Sequence, residues 1–210
     1  MNRYGSIWIL NPPVRAQAVC RGYFFACFWY NLTRTQRCLI LIDGSNFYFK
    51  LKDLKLHNLL QFNFKKFAQF LARSGKVVAA RYYVGRVRQD GTEHADKLLA
   101  NQQKLLVKLK QNKFYYTLGY LLKSDGAYHE KGVDVQIAVD MLVATYENMC
   151  DRIILVSSDT DLAPAIKKAQ EKGKIVKYVG FSHKTSVAMV RFCKESHVLT
   201  KDDILPFTSS

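Results

Sequence analysis

Short runs of β-branched and aromatic residues, CLILID, KVVAARYYVG, FYYTLGYLL, RIILVSS and KIVKYVGF, alternate along this chain with longer stretches of helical period. Runs of that length and composition read as strands, and their near-continuous apolar character reads as burial on both faces of a sheet. The helical stretches are NFKKFAQFLARSG, TEHADKLLANQQKLLVKLKQN, VDVQIAVDMLVATYEN, TDLAPAIKKAQEKG and TSVAMVRFCKES. Gly75 and Gly173, each followed by a lysine and a strand run, mark helix ends. This order predicts an α/β fold, with a mostly parallel sheet flanked by helices on both faces. No internal repeat or low-complexity tract interrupts it.

Two of the strand runs break into carboxylates where they leave the sheet. LILIDGSN offers Asp43 and Asn46 after Leu39 to Ile42, and IILVSSDTDL offers Asp159 and Asp161 after Ile153 to Val156. In an open parallel sheet ligands bind beyond the carboxyl ends of the strands, so these acids are expected on one edge. Asp134 joins them from KGVDVQIAVDML, where it opens a helix. At 100° per residue it falls in line with Ile137, Ala138, Met141 and Thr145, the core-facing stripe, where a carboxylate is costly unless it is partnered. Asp140 falls on the polar side, where a solvated role is the simpler account. Each acid also has an ordinary structural use: Asp134 at a helix dipole, Asp159 or Asp161 as an N-cap before Pro164, Asp43 in a turn, Asn46 as a cap. Those uses leave the convergence on one edge unexplained. Carboxylates brought close together raise one another's pKa or demand a cation, and hard oxygen donors without nearby His or Cys suit Mg²⁺ or Mn²⁺ better than zinc.

The charge balance points to a polyanionic partner. The formal net charge is +15; the first 37 residues hold five arginines and no acids, and the remaining 173 hold 27 basic and 17 acidic groups, or +10. A basic domain with its acids gathered in motifs fits a phosphate backbone held around an acidic centre, although a lysine-rich solubilising surface has the same composition. On TEHADKLLANQQKLLVKLKQN, Lys97, Lys104 and Lys108 form a stripe beside the leucine face, and Arg86 and Arg88 precede that helix. Five cysteines without a CxxC pair argue against a disulfide framework or zinc knuckle and fit a reducing cytoplasm. Residues 1–37 read differently from the rest: SIWIL and YFFACFWYNL are each too short to span a bilayer, and Pro12 and Pro13 separate them. We expect a poorly structured N-terminal extension over 1–37, one domain over 38–210 and no membrane partner. The chance of a signal peptide or anchor in that extension stays open, as does self-association into a homo-oligomer.

Together IDGSN at 42–46, KGVDVQIAVDM at 131–141 and VSSDTDLAPAI at 156–166 resemble the NYN domain, in the LabA-like branch of the PIN-fold ribonucleases. The resemblance covers roughly residues 38 to 200. It implies a Rossmann-like PIN fold and RNA as substrate, with Asp43, Asp134, Asp159 and Asp161 lining a Mg²⁺ or Mn²⁺ pocket and Asn46 orienting a ligand or phosphate. Lys131 is either a contact to the scissile phosphate or a solvated loop lysine. Ser158 departs from the glycine found in many relatives. The function so implied is a metal-dependent endoribonuclease; a non-catalytic RNA-binding or adaptor module is the alternative.

Overall fold

The computed structural model describes residues 35–87, 91–124 and 127–208. Six parallel strands form one sheet: β1 (Arg37–Asp43), β2 (Lys76–Val84), β3 (Tyr115–Leu118), β6 (Arg152–Val156), β7 (Ile175–Phe181) and β8 (Glu195–Leu199). Their order is β3-β2-β1-β6-β7-β8, so the chain winds outward from β1 on one side, crosses back, and winds outward from β6 on the other. A separate antiparallel hairpin joins β4 (Tyr120–Ser124) to β5 (Ala127–Lys131). The helices are α1 (Gly44–Asp53), α2 (Phe64–Ala72), α3 (Glu93–Gln111), α4 (Val133–Tyr146), α5 (Ala163–Glu171), α6 (Val187–Phe192) and α7 (Lys201–Ile204).

The alternation of side chains along the central strands divides the interior into two cores. Cys38, Ile40 and Ile42 of β1 join Ile154 and Val156 of β6 beneath an aromatic cluster of Phe47, Phe62, Phe64, Phe67 and Phe207. Leu39 and Leu41 join Ile153 and Leu155 on the opposite face, covered by Ile137 and Met141 of α4, Ile166 of α5 and Met189 of α6. Both faces of β1 and β6 are therefore dry, which is why those runs carry no alternation in sequence.

Four details differ from the sequence expectations. FYYTLGYLL is not one strand. It divides at Gly119, whose N–H bonds to the Val84 carbonyl at 2.9 Å; β3 stays with β2 while β4 leaves to pair with β5. TSVAMVRFCKES is helical only as far as Phe192, and Glu195 begins β8, whose carboxylate meets Arg152 of β6 at 2.6 Å. Asn46 is not a cap: α1 starts directly at Gly44, with Asp43 as its N-cap. The folded unit also starts slightly before residue 38, because Arg37 is already in β1 and its guanidinium meets Asp151 at 2.9 Å. Residues 1–34 of the expected extension lie outside the described residues. Among the described residues no helix is long and apolar enough to cross a membrane.

Candidate active site

β1 and β6 are neighbours whose onward connections run to opposite sides, which makes the gap beyond their carboxyl ends the switch point of the sheet. Asp43 ends β1 there and is 6% exposed. Its Oδ1 accepts the Asn46 N–H at 3.0 Å, capping α1, and its Oδ2 accepts the Ser157 hydroxyl at 3.0 Å. Ser157 Oγ accepts the Asp159 N–H at 3.1 Å, and Asp159 Oδ1 accepts the Asp161 N–H at 2.9 Å to open a 3-10 turn over Thr160–Leu162 that leads into α5. Asp159 is thus a local cap as well as a cleft residue. The backbone at Gly44 runs so close beneath Tyr82 that a Cβ would collide with its ring, and the Tyr82 hydroxyl donates to the Gly44 carbonyl at 3.3 Å.

Asp134 arrives from the other wall. Gly132, at φ +89°, turns the chain from β5 into α4, and Asp134 stands in the first helical turn, where its charge complements the helix dipole. The rest of the stripe it shares is buried at Ile137, Met141 and Thr145, but Asp134 itself is exposed because this first turn reaches the mouth of a cleft. That cleft, about 780 Å³, is lined by Asp43, Asn46, Lys131, Asp134, Asp159 and Asp161, with Phe49 and Val135 beside them. Every acid expected at the sheet edge is here, from three separate stretches of chain.

Burial is the largest influence on Asp43 and pushes its carboxyl above the usual aspartate range; Asp159 pushes the same way, while the Asn46 N–H and Ser157 hydroxyl oppose it. A cation in the cleft would relieve that penalty. The donor chemistry fits Mg²⁺ or Mn²⁺: the lining carries four carboxylates and an amide oxygen, with neither His nor Cys. An ionised carboxylate has about four acceptor sites, so Asp43 keeps acceptor capacity beyond the Asn46, Ser157 and Ser45 hydrogen bonds. Among the described residues, no three acidic, His or Cys side chains already stand in a group able to hold an ion.

Two positions that shape the site are not evident from the sequence. Ser157 joins the ends of β1 and β6 through one hydroxyl, but a serine before an acid reads in sequence as loop. Asp140 is not solvated: its carboxylate accepts from Arg81 Nη1 at 2.9 Å, the Tyr83 hydroxyl at 2.7 Å and Gln136 Nε2 at 3.0 Å, which pins α4 to β2. The serine at 158 is accommodated, since its hydroxyl shares a hydrogen bond with that of Tyr178 at 3.2 Å. Of the basic residues, Lys131 lines the cleft; Arg86, Lys97, Lys104 and Lys108 do not. Lys97 pairs with Glu93 at 2.7 Å, Lys108 Nζ donates to the Leu60 carbonyl, Lys104 and Arg86 are exposed, and Arg88 lies outside the described residues.

Residues 37–200 match the NYN domain family. The chain belongs to that family. This NYN domain is 28% identical over 153 residues to an uncharacterised protein of Methanocaldococcus jannaschii, an alignment that takes in 73% of this chain and 51% of the relative. The chain thus spans about half the length of the curated relative it matches. A solved protein of unknown function from Vibrio parahaemolyticus shares the fold at a TM-score of 0.64 and 22% identity, covering 82% of this chain and 97% of that one. A bacteriophage T5 flap endonuclease, solved with DNA and metal ions, is similar at a TM-score of 0.35 and 17% identity over 60% of this chain and 51% of that one, a likeness too slight to bear on chemistry. The NYN domain described here is an α/β fold, a six-stranded parallel sheet with helices around it.

Proposed function

We propose that this NYN domain is a metal-dependent endoribonuclease of the LabA-like branch, hydrolysing RNA phosphodiester bonds with Mg²⁺ or Mn²⁺. The observation that carries this reading is the convergence of Asp43, Asp134, Asp159 and Asp161 on one cleft at the switch point of the sheet, in a chain of net charge +15. These four carboxylates would hold the cation, which when bound stabilises charge developing on the phosphate and readies a water for attack. Asn46, in the first turn after Asp43, orients a ligand or phosphate, and Lys131 contacts the scissile phosphate from the opposite wall. Arg86, Lys97, Lys104 and Lys108 supply sequence-independent attraction to the backbone outside the cleft, and Arg88 adds its charge to the same attraction. Cys38, Cys150 and Cys193 are free and buried, which fits a reducing cytoplasm.

Purified protein incubated with single-stranded RNA and Mg²⁺ or Mn²⁺ is expected to cleave it. Asp43→Asn or Asp134→Asn should lower the rate by at least about a hundredfold while RNA binding persists. EDTA should reproduce the loss, and added Mn²⁺ should restore the wild type alone. A second reading, an RNA-binding module without catalysis, is favoured by the absence of a ready-made ligand group among the described acids. It takes over if no RNA in a broad panel is cut above the level of the Asp43→Asn protein while RNA is still bound.

A further inference from the structure

Helix α1 carries three aromatic residues in a row, Phe47, Tyr48 and Phe49, and only the first two serve the core. Phe47 is buried among the rings of Phe62, Phe67 and Phe181, and Tyr48 is half-buried against the same cluster. Phe49 lies about 160° round the helix from Phe47 and Leu51, on the side where the period calls for a polar residue, and it is 59% exposed. An exposed apolar residue needs no explanation by itself, but this one lines the acidic cleft together with Asp43, Ser45, Asn46 and Asp159. It follows Asn46 by about 4.5 Å along the helix axis and 60° round it, so the ring stands beside the site. The ring is also steadied from one side. Tyr48 meets it at 5.6 Å and 71°, and His57 meets Tyr48 at 5.8 Å and 90°. An aromatic ring that is held in place and still open over much of its surface is organised in advance to stack.

Resting on the nuclease reading above, we propose that Phe49 is the platform on which the base of an unpaired nucleotide stacks while its phosphate lies at the carboxylates. The chemistry of the cleft chooses this occupant. Four carboxylates and Lys131 ask for a phosphate carried in with a cation, and Phe49 offers an apolar ring surface within the same cleft. A nucleotide has a charged phosphate and a flat π face within one small unit, whereas an aromatic side chain of a protein partner would bring the ring without the phosphate. Stacking tolerates any base, because each has a π face, but the face must be free. A base inside a duplex is already covered on both sides. The platform therefore selects single-stranded or splayed nucleotides, with the larger purines favoured. It gives the site a preference for RNA structure that neither the carboxylates nor the lysines outside the cleft can supply, since those read charge alone.

The test is a double-mutant cycle on the full chain carrying Asp43→Asn, so that bound RNA is not cut, with dissociation constants read by fluorescence anisotropy on a single-stranded oligoribonucleotide. Adding Phe49→Ala should weaken binding about 5- to 150-fold. The circular dichroism spectrum should not change, because the side chain leaves the core untouched. Phe49→Leu, which keeps apolar bulk and loses the ring, should weaken binding nearly as much, and Phe49→Trp should retain it. A single abasic nucleotide, walked along the oligonucleotide, should cost a similar factor at one position. There the abasic RNA and Phe49→Ala together should cost no more than either alone. A fully paired RNA should bind alike with and without Phe49→Ala. The proposal is overturned if the two losses multiply at every position, or if Phe49→Leu binds as well as the parent. Cleavage is scored separately, on protein with Asp43 intact. A chain that shows the coupled losses but cuts no RNA keeps the platform and gives up the nuclease; one that cuts RNA with uncoupled losses does the reverse. A chain that binds no RNA loses both.

Discussion

Asp43 serves two demands that pull against each other. Its carboxylate must be charged to cap α1 strongly and to attract a cation, yet it is buried at the seam of the sheet, where charge is penalised. The folded-state pKa is raised, so the native protein binds this proton more tightly than the unfolded chain does. The resulting cost is absent below the unfolded aspartate value of about 3.9 and fully present above the folded one. Asp43→Asn retains an oxygen for the Asn46 N–H and gains an amide that can donate to Ser157 Oγ. In metal-free buffer at neutral pH the variant should therefore melt at or above the wild-type temperature, and the gap should close as the pH falls toward about 4. A lower melting temperature for the variant at neutral pH would show that the charged hydrogen bonds outweigh desolvation. The cleft acids are legible in the sequence because their ordinary uses as caps and turn formers leave unexplained why they gather at one edge of the sheet. Asp140 is not, because a helical wheel cannot register that Arg81 and Tyr83 of another element occupy the space outside it.

At the scale of elements, the connection from β5 to α4 determines where Asp134 points. Gly132 adopts φ +89°, and a Cβ there would also meet the Tyr120 ring across the hairpin. Gly132→Ala should then lower stability by about 1 to 3 kcal/mol in urea unfolding. Adding Tyr120→Ala should recover only part of the loss, since the backbone strain remains after the collision is relieved. The long helices and the four inner strands are readable from period and composition. The hairpin is not, since Gly119 sits inside an otherwise unbroken aromatic run and its effect depends on the Val84 carbonyl holding its N–H. The sixth strand of the sheet is hidden for a similar reason: Glu195 and Ser196 look like the polar end of a helix until Arg152 and the edge of β7 are there to receive β8.

At the scale of the molecule, the boundary of the folded unit makes its own prediction. Gln36 gives its carbonyl to the Lys76 N–H at 2.8 Å and its side chain to Arg152 at 2.9 Å, while Arg37 holds Asp151. A chain begun at Thr35 should unfold cooperatively with an unchanged denaturation midpoint, whereas one begun at Leu39 should lose about 2 to 4 kcal/mol. A large loss on removing residues 1–34 would refute the expectation that they are dispensable to the fold. The doubly wound order has a temporal side as well. Asp43 and Ser157 are 114 residues apart, and the cleft has no floor until β6 lies beside β1. At roughly 5 to 20 residues per second, a chain still being translated carries Asp43 for about 6 to 23 s before Ser157 exists. Any chemistry done in this cleft is thus withheld from the growing polypeptide until β6 has been made and has joined β1.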